Sequence, residues 1–145
     1  VWLALREAVP GLGVGAARAM LALAGGVALQ VALGVLVWQR TGAGVSGPGA
    51  FAAGAQCVTI EGAIGLPHLA IATWLALRAL PIRPRWSGAL AGAAAGLLAD
   101  AVWHLACPRN DLEHLLVWHF GATVAMTLLG AASGSFWRRR AGPSS

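Results

Sequence analysis

Four long stretches of this chain are almost free of charge, with arginines standing at their ends, and that pattern limits the fold more than any other feature. The first lies between Arg18 and Arg40, the second runs from near Cys57 to Leu77, the third from Trp86 to Cys107, and the fourth from Leu115 to Trp137. Each approaches the roughly 20 apolar residues, at about 1.5 Å apiece, that cross a bilayer as a helix. Soluble domains of this size carry about a quarter charged residues. Here 10% are charged and 58% hydrophobic, with a mean hydropathy of +0.72. The pattern predicts an all-α polytopic membrane protein whose four transmembrane helices form an antiparallel bundle. Its spans are expected at about 18–39, 57–78, 86–107 and 114–137, after a juxtamembrane or cytoplasmic segment 1–17 and before a cytoplasmic tail 138–145.

The connections agree with this plan. Thr41 to Gly54 is rich in Gly, Ser and Pro and reads as a loop. Residues 81–85 form a tight basic turn with two prolines, and Asn110 or Asp111 is placed to cap the fourth helix. Glu113 suits the positive end of that helix's dipole. The tail 141–145 reads as disordered. The chain opens at Val1 with no charged leader, as expected of the later part of a longer protein.

Ten arginines and no lysine give a formal charge of +5. They punctuate the apolar runs instead of forming a basic face with interleaved aromatics, which argues against nucleic acid as a partner and for the bilayer. Arg6, Arg18, Arg78, Arg83, Arg85 and Arg138 to Arg140 fall on one side of the predicted bundle, with only Arg40 and Arg109 on the other. The excess of arginine marks the cytoplasmic side. Cys57 and Cys107 then share the outer face, periplasmic in a Gram-negative cell. Trp2, Trp38, Trp86, Trp103 and Trp137 near the predicted boundaries read mostly as interfacial anchors. Glycines four apart, Gly88, Gly92 and Gly96 in the third span and Gly130 and Gly134 in the fourth, permit close helix contact. Within the chain that means tight packing; a homo-oligomer through Gly88, Gly92 and Gly96 is the alternative.

Nearly all remaining polar chemistry gathers toward the outer end. Cys57, Glu61 and His68 are spaced to share one helical face, as are Asp100, His104 and Cys107. Counted from the two cysteines, Glu61 lies roughly 6 Å deep, His104 about 4–5 Å and Asp100 about 10 Å, so these groups can meet. Ionisable side chains in a bilayer face the protein interior and are paired. Two carboxylates with no arginine on their faces repel unless protonated or bridged by a cation. Thiolate and imidazole with an available carboxylate suit zinc or a softer metal such as cadmium. The expected ligands are Cys57, Glu61, His104, Cys107 and His114, with Asp100 and His119 behind them. His119, about 140° around an α-helix from His114, is not expected to share its face. His68 reads as a satisfied interior histidine. A plain disulfide between Cys57 and Cys107, or a buried cluster pairing Glu61 and Asp100 with His104, would account for the same residues. There is no Ser-His-Asp pattern, no HExxH and no phosphate-cradling loop, so an enzyme is not expected.

Cys57 at a helix start, the turn and Gly/Ala-rich helix ALRALPIRPRWSGALAGAAAG (76–96), HLACPRNDLEHLLVWH (104–119) and the closing GAASGSFWRRR (130–140) together resemble the NrsF-type family of multi-pass bacterial membrane anti-sigma factors. The resemblance implies a protein of the bacterial inner membrane that holds an extracytoplasmic-function sigma factor inactive. It also implies release when heavy metal or thiol-redox stress acts on two periplasmic cysteines, here Cys57 and Cys107. Two family features have no counterpart in this reading: six spans where four are seen, and a sigma-binding segment before Arg18. A metal-binding or structural membrane protein without a sigma partner is the rival reading, and a membrane oxidoreductase the third.

Overall fold

The computed structural model describes residues 2, 3, 6, 9, 12–13, 15–41, 49–79, 81–109 and 111–140. Among the described residues every regular element is helical. Helix α1 is Ala16–Thr41, α2 is Ala50–Arg78 and α3 is Pro84–His104. A fourth helix, α4, begins as Leu112–His114, passes through a π-turn at Leu115–His119 and continues as Phe120–Arg140. Most of segment 1–17, Asn110 and the tail 141–145 lie outside the described residues.

The boundaries follow from local chemistry. Gly49, at φ +90°, precedes α2, and the alanine-rich residues from Ala50 onward are already helical, so the expected loop does not reach Gly54; its residues 42–48 lie outside the described residues. Gly54 sits inside the helix because the Trp118 indole lies against it, where a Cβ would meet Cε2 at 2.0 Å. Pro84 opens α3 at the first helical turn, the position where a missing N–H costs nothing. Helix α3 ends at His104 and not at Cys107, because Pro108 disfavours helical backbone in the residue before it. The Cys107 N–H still reaches the Trp103 carbonyl at 2.9 Å, so the sulfur keeps a direction close to the helical one.

Three helices are long and apolar enough to cross a membrane: Ala16–Arg40, Ala50–Ala76 and Leu112–Trp137. Helix α3 is not among them, which corrects the expectation of four such spans. Its sequence is neutral without being strongly hydrophobic, built from Ala, Gly and Ser with Asp100 near its end, and more than half of it is buried against other helices. A helix that faces protein on most sides needs little lipid-compatible surface.

Contacts along the bundle fix its direction. A Cβ at Gly15 would lie 3.8 Å from the Arg83 guanidinium, one at Gly26 would meet Leu97, and one at Gly34 would meet Leu115. Helix α1 therefore runs alongside α3, and the chain passes up and down. The interior is rich in small residues: Ala19, Ala91, Ala95, Ala99, Ser87 and Thr123 are buried, while Leu21, Leu33, Phe51, Ile71, Trp74 and Leu128 point outward. Soluble proteins seldom expose apolar surface on that scale; small residues inside and large apolar ones outside suit helices packed in lipid. Trp86 is an exception to the anchoring role, since it packs against the Ala19, Leu90 and Ala91 cluster.

The glycine stripes face each other within one chain. A Cβ on Gly88 would lie 2.1 Å from the Gly130 carbonyl oxygen, and one on Gly92 would lie 2.2 Å from that of Met126. The Gly88/Gly92/Gly96 face is thus filled by α4, and the oligomer considered for that stripe has no free surface there.

At the start of α4 the Asp111 carboxylate accepts the His114 backbone N–H at 2.9 Å and the Arg109 side chain at 3.1 Å. Burial pushes its pKa up, but the His114 N–H and the Arg109 charge outweigh that, and the net shift is down. A depressed acid stabilises the fold above the unfolded value of about 3.9, and that contribution is lost as pH falls through the lower folded value. Asp111→Ala removes the cap and is expected to cost about 1 kcal/mol at neutral pH. Thermal unfolding in detergent should show the deficit at pH 7, and the gap to the parent should narrow below the usual carboxylate range.

Candidate metal centre

The bundle end that carries the α3–α4 loop gathers both cysteines, three of the four histidines and the buried carboxylates of Glu61 and Asp100. Helix α2 supplies Cys57 and, one turn deeper, Glu61. Helix α3 supplies Asp100 and His104, and the loop after it Cys107. Helix α4 supplies His114 and His119, and α1 contributes Gln30. Cys57, Cys107, Glu61, Asp100, His114 and His119 are all buried, with Glu61 and His119 each only 1% exposed.

Two groups share His119. In the first, one ligand atom from each of Cys57, Cys107, His114 and His119 lies within 4.8 Å of the others. The cysteines are free thiols with sulfurs 3.7 Å apart, and Cys107 Sγ is 3.6 Å from His114 Nε2. In the second group Asp100, His104 and His119 meet the same limit. His119 Nδ1 lies 2.8 Å from Asp100 Oδ1; since a carboxylate accepts, Nδ1 is the nitrogen that carries the hydrogen. His104 Nδ1 makes a longer contact of 3.5 Å to the same oxygen. Gln30 donates from Nε2 to Asp100 Oδ2 at 2.8 Å and reaches Thr123 Oγ1 at 3.2 Å.

The consequence for His119 is chemical. With Nδ1 committed to Asp100, its Nε2 is buried and has no hydrogen-bond partner. Metal-binding histidines commonly have this arrangement, one nitrogen held by a carboxylate and the other free to ligate. Two thiols and two imidazoles, one imidazole so oriented, fit the tetrahedral Cys2His2 ligation of zinc.

The placement of His119 corrects the sequence expectation. Within the π-turn the Phe120 N–H bonds the carbonyl of Leu115, five residues back, so residues five apart stack as residues four apart do in an α-helix. His114 and His119 consequently lie on one face with ring centroids 5.2 Å apart, and His104 flanks His119 on its other side at 5.0 Å. Of the expected ligands, Cys57, Cys107 and His114 come together directly. Glu61 and His104 instead sit on the Asp100 side of His119.

His68 is exposed, its Nδ1 bonded to the Ile64 carbonyl at 2.7 Å, and is not an interior histidine. The buried stripe of α2 runs Cys57, Glu61, Gly65, Leu69, Thr73, each four residues on. Such rows slant across a helix surface, so at the depth of His68 the inward face has moved to Gly65 and Leu69. Gln30 and Thr123 join the site without being among its expected residues, although a lone strongly polar residue in an uncharged span is itself a signal for Gln30. Trp118 packs edge-on to Phe51, with centroids 5.3 Å apart, and covers α2 above the cysteines.

Beside the site a cavity of about 360 Å³ opens between α1, α3 and α4. Leu29, Leu33, Val37 and Leu97 wall it, and Gln30, Asp100, His104 and His119 reach it.

Fold and site define an all-helical protein with membrane-length apolar helices and a thiol–imidazole–carboxylate cluster at one end of its bundle. Residues 1–139 match the family described as NrsF, negative regulator of sigma F, and the chain belongs to that family. The match reaches well upstream of Cys57, the first of the residues that carry the resemblance. No curated protein and no solved structure matches the chain. The family's description ties it to negative regulation of a sigma factor, which is a regulatory role and not a catalytic one.

Proposed function

We propose that this chain is an anti-sigma factor of the bacterial inner membrane, anchored by all four helices. In this reading it restrains an extracytoplasmic-function sigma factor, and senses heavy metal or thiol oxidation through Cys57 and Cys107 on the periplasmic side. The family match supports the regulatory part, and the observation that carries the sensing part is the convergence of four buried donors, Cys57, Cys107, His114 and His119, within 4.8 Å. The free His119 Nε2 supports a metal such as zinc or cadmium as the ligand. When bound, such a metal would supply a compact divalent charge that holds both cysteines as thiolates.

Signalling rests on where the donors come from. Cys57 belongs to α2, Cys107 to the α3–α4 loop, and the two histidines to α4. Occupancy is therefore coupled to the packing of those three segments, whose other ends carry the basic turn at Arg83 and Arg85 and the arginines at 138–140. Oxidation of the 3.7 Å sulfur pair would act on the same segments. It joins the sulfurs and passes two electrons and two protons to an oxidant of the outer compartment.

The test uses the reduced protein purified in detergent. It should hold one equivalent of zinc or cadmium that Cys57→Ser abolishes, and should co-purify with a sigma factor when metal-free and release it on adding cadmium. Absence of stoichiometric metal in the reduced parent sinks the metal arm. A protein that never retains a sigma factor under reducing, metal-free conditions sinks the regulatory reading.

A further inference from the structure

Glu61 is the group the Cys2His2 reading leaves without a role. It is 1% exposed, both carboxylate oxygens are buried, and neither accepts a hydrogen bond. Its Oε1 lies 2.6 Å from His119 Nδ1, but the single Nδ1 hydrogen is donated to Asp100. Two carboxylates, from α2 and α3, thus converge on one imidazole nitrogen. Positive charge beside them can come from His119 and from His104, whose Nδ1 lies 3.5 Å from Asp100, yet neither donates a hydrogen bond to Glu61, so the second carboxylate stays unmatched. An interior position in a membrane-spanning bundle makes such an imbalance costly unless a cation completes it. Buried carboxylates that lack donors also call for a specific explanation, an ion among them.

From this geometry we propose a second divalent-cation site, formed by Glu61, Asp100, His104 and the Nδ1 side of His119. It lies back to back with the thiol site, and His119 is common to both. The donor set is oxygen and nitrogen without sulfur, which suits zinc, cobalt(II), manganese or iron(II) more than cadmium or another soft ion. Asp100, His104 and His119 already present ligand atoms within 4.8 Å of one another, and Glu61, whose Oε1 lies 2.6 Å from His119 Nδ1, would be drawn in as the fourth ligand from the α2 side. Binding displaces the His119 Nδ1 proton, which leaves to solvent as ligand protons do when a metal binds. The cavity between α1, α3 and α4 gives an approach, since Asp100, His104 and His119 all reach it. Gln30, bonded to Asp100 Oδ2, holds that carboxylate from the α1 side.

The proposal goes beyond the Cys2His2 reading and stands or falls separately, because its own ligands include no sulfur. Its test is a cobalt(II) titration of the full chain, reduced and in detergent, read by metal analysis and by absorption. The parent should take up two equivalents, one of them giving the near-ultraviolet thiolate-to-cobalt band. Glu61→Gln, nearly the same shape without the charge, should keep the band and retain one equivalent. Cys57→Ser combined with Cys107→Ser should lose the band and also retain one. A parent that binds a single equivalent with the thiolate band overturns the second site while leaving the first intact. Two equivalents in Glu61→Gln overturn it as well. One equivalent in the parent without the band, lost in Glu61→Gln, upholds the second site and rejects the thiol site.

Discussion

Alanine in place of Gly92 is expected to destabilise the fold by about 1–3 kcal/mol or more, the range for forcing atoms into a filled interior. The added Cβ would stand 2.2 Å from the Met126 carbonyl oxygen, and backbone cannot swing aside as a side-chain tip can. The helices must separate, and the loss is shared by every contact of the α3–α4 seam, with the Gly88–Gly130 approach next in line. Two controls make the interpretation specific. At Gly25 and Gly121 an added Cβ meets nothing within 4 Å, so alanine there should be neutral or stabilise by up to about 1 kcal/mol through helix propensity. Unfolding of the detergent-solubilised protein, followed by circular dichroism, measures all three. Equal melting of Gly92→Ala and Gly121→Ala would show that the seam is not what holds the bundle.

The same seam explains what was legible in the sequence. Long neutral runs, flanking arginines and prolines at the turns marked the helices, because those signals are local. Glycines four apart marked the α3–α4 contact for the same reason. Lack of charge overstates α3 as an apolar span, because lack of charge is not hydrophobicity and its alanines and glycines face protein. The position of His119 was hidden, since helical spacing assumes 3.6 residues per turn and one π-turn shifts everything beyond it. Spacing alone misplaces His68 for a different reason: α2 stays α-helical there, through Pro67, but its buried stripe slants. Thiols, imidazoles and carboxylates at one end were readable from topology alone, whereas their division into two groups around His119 required side-chain positions.

Removal of the Asp100 carboxylate has the second large expected effect, and it acts through another residue. Asp100 accepts from His119 Nδ1 at 2.8 Å and from Gln30 at 2.8 Å, so Asp100→Ala leaves Gln30 with Thr123 alone and His119 Nδ1 with only Glu61, near at 2.6 Å but not hydrogen-bonded to it. The imidazole then loses the contact that fixes which nitrogen carries hydrogen and where the ring points. Loss of such a partner typically weakens a metal site by about 10–100-fold, equivalent to roughly 1.4–2.8 kcal/mol. Chelator competition, followed on the thiolate-to-metal band so that only the Cys57/Cys107 site is read, should show a drop of that size. His114→Ala removes a ligand outright and should cost more than Asp100→Ala, whereas Gln30→Ala should cost less, because it touches the carboxylate and not the imidazole. An Asp100→Ala protein that holds metal at the thiol site within about twofold of the parent would mean that helix packing or Glu61, and not Asp100, positions His119. The ordering His114, Asp100, Gln30 is the signature of a ligand held from behind; a merely buried cluster gives no reason for metal affinity to follow that sequence.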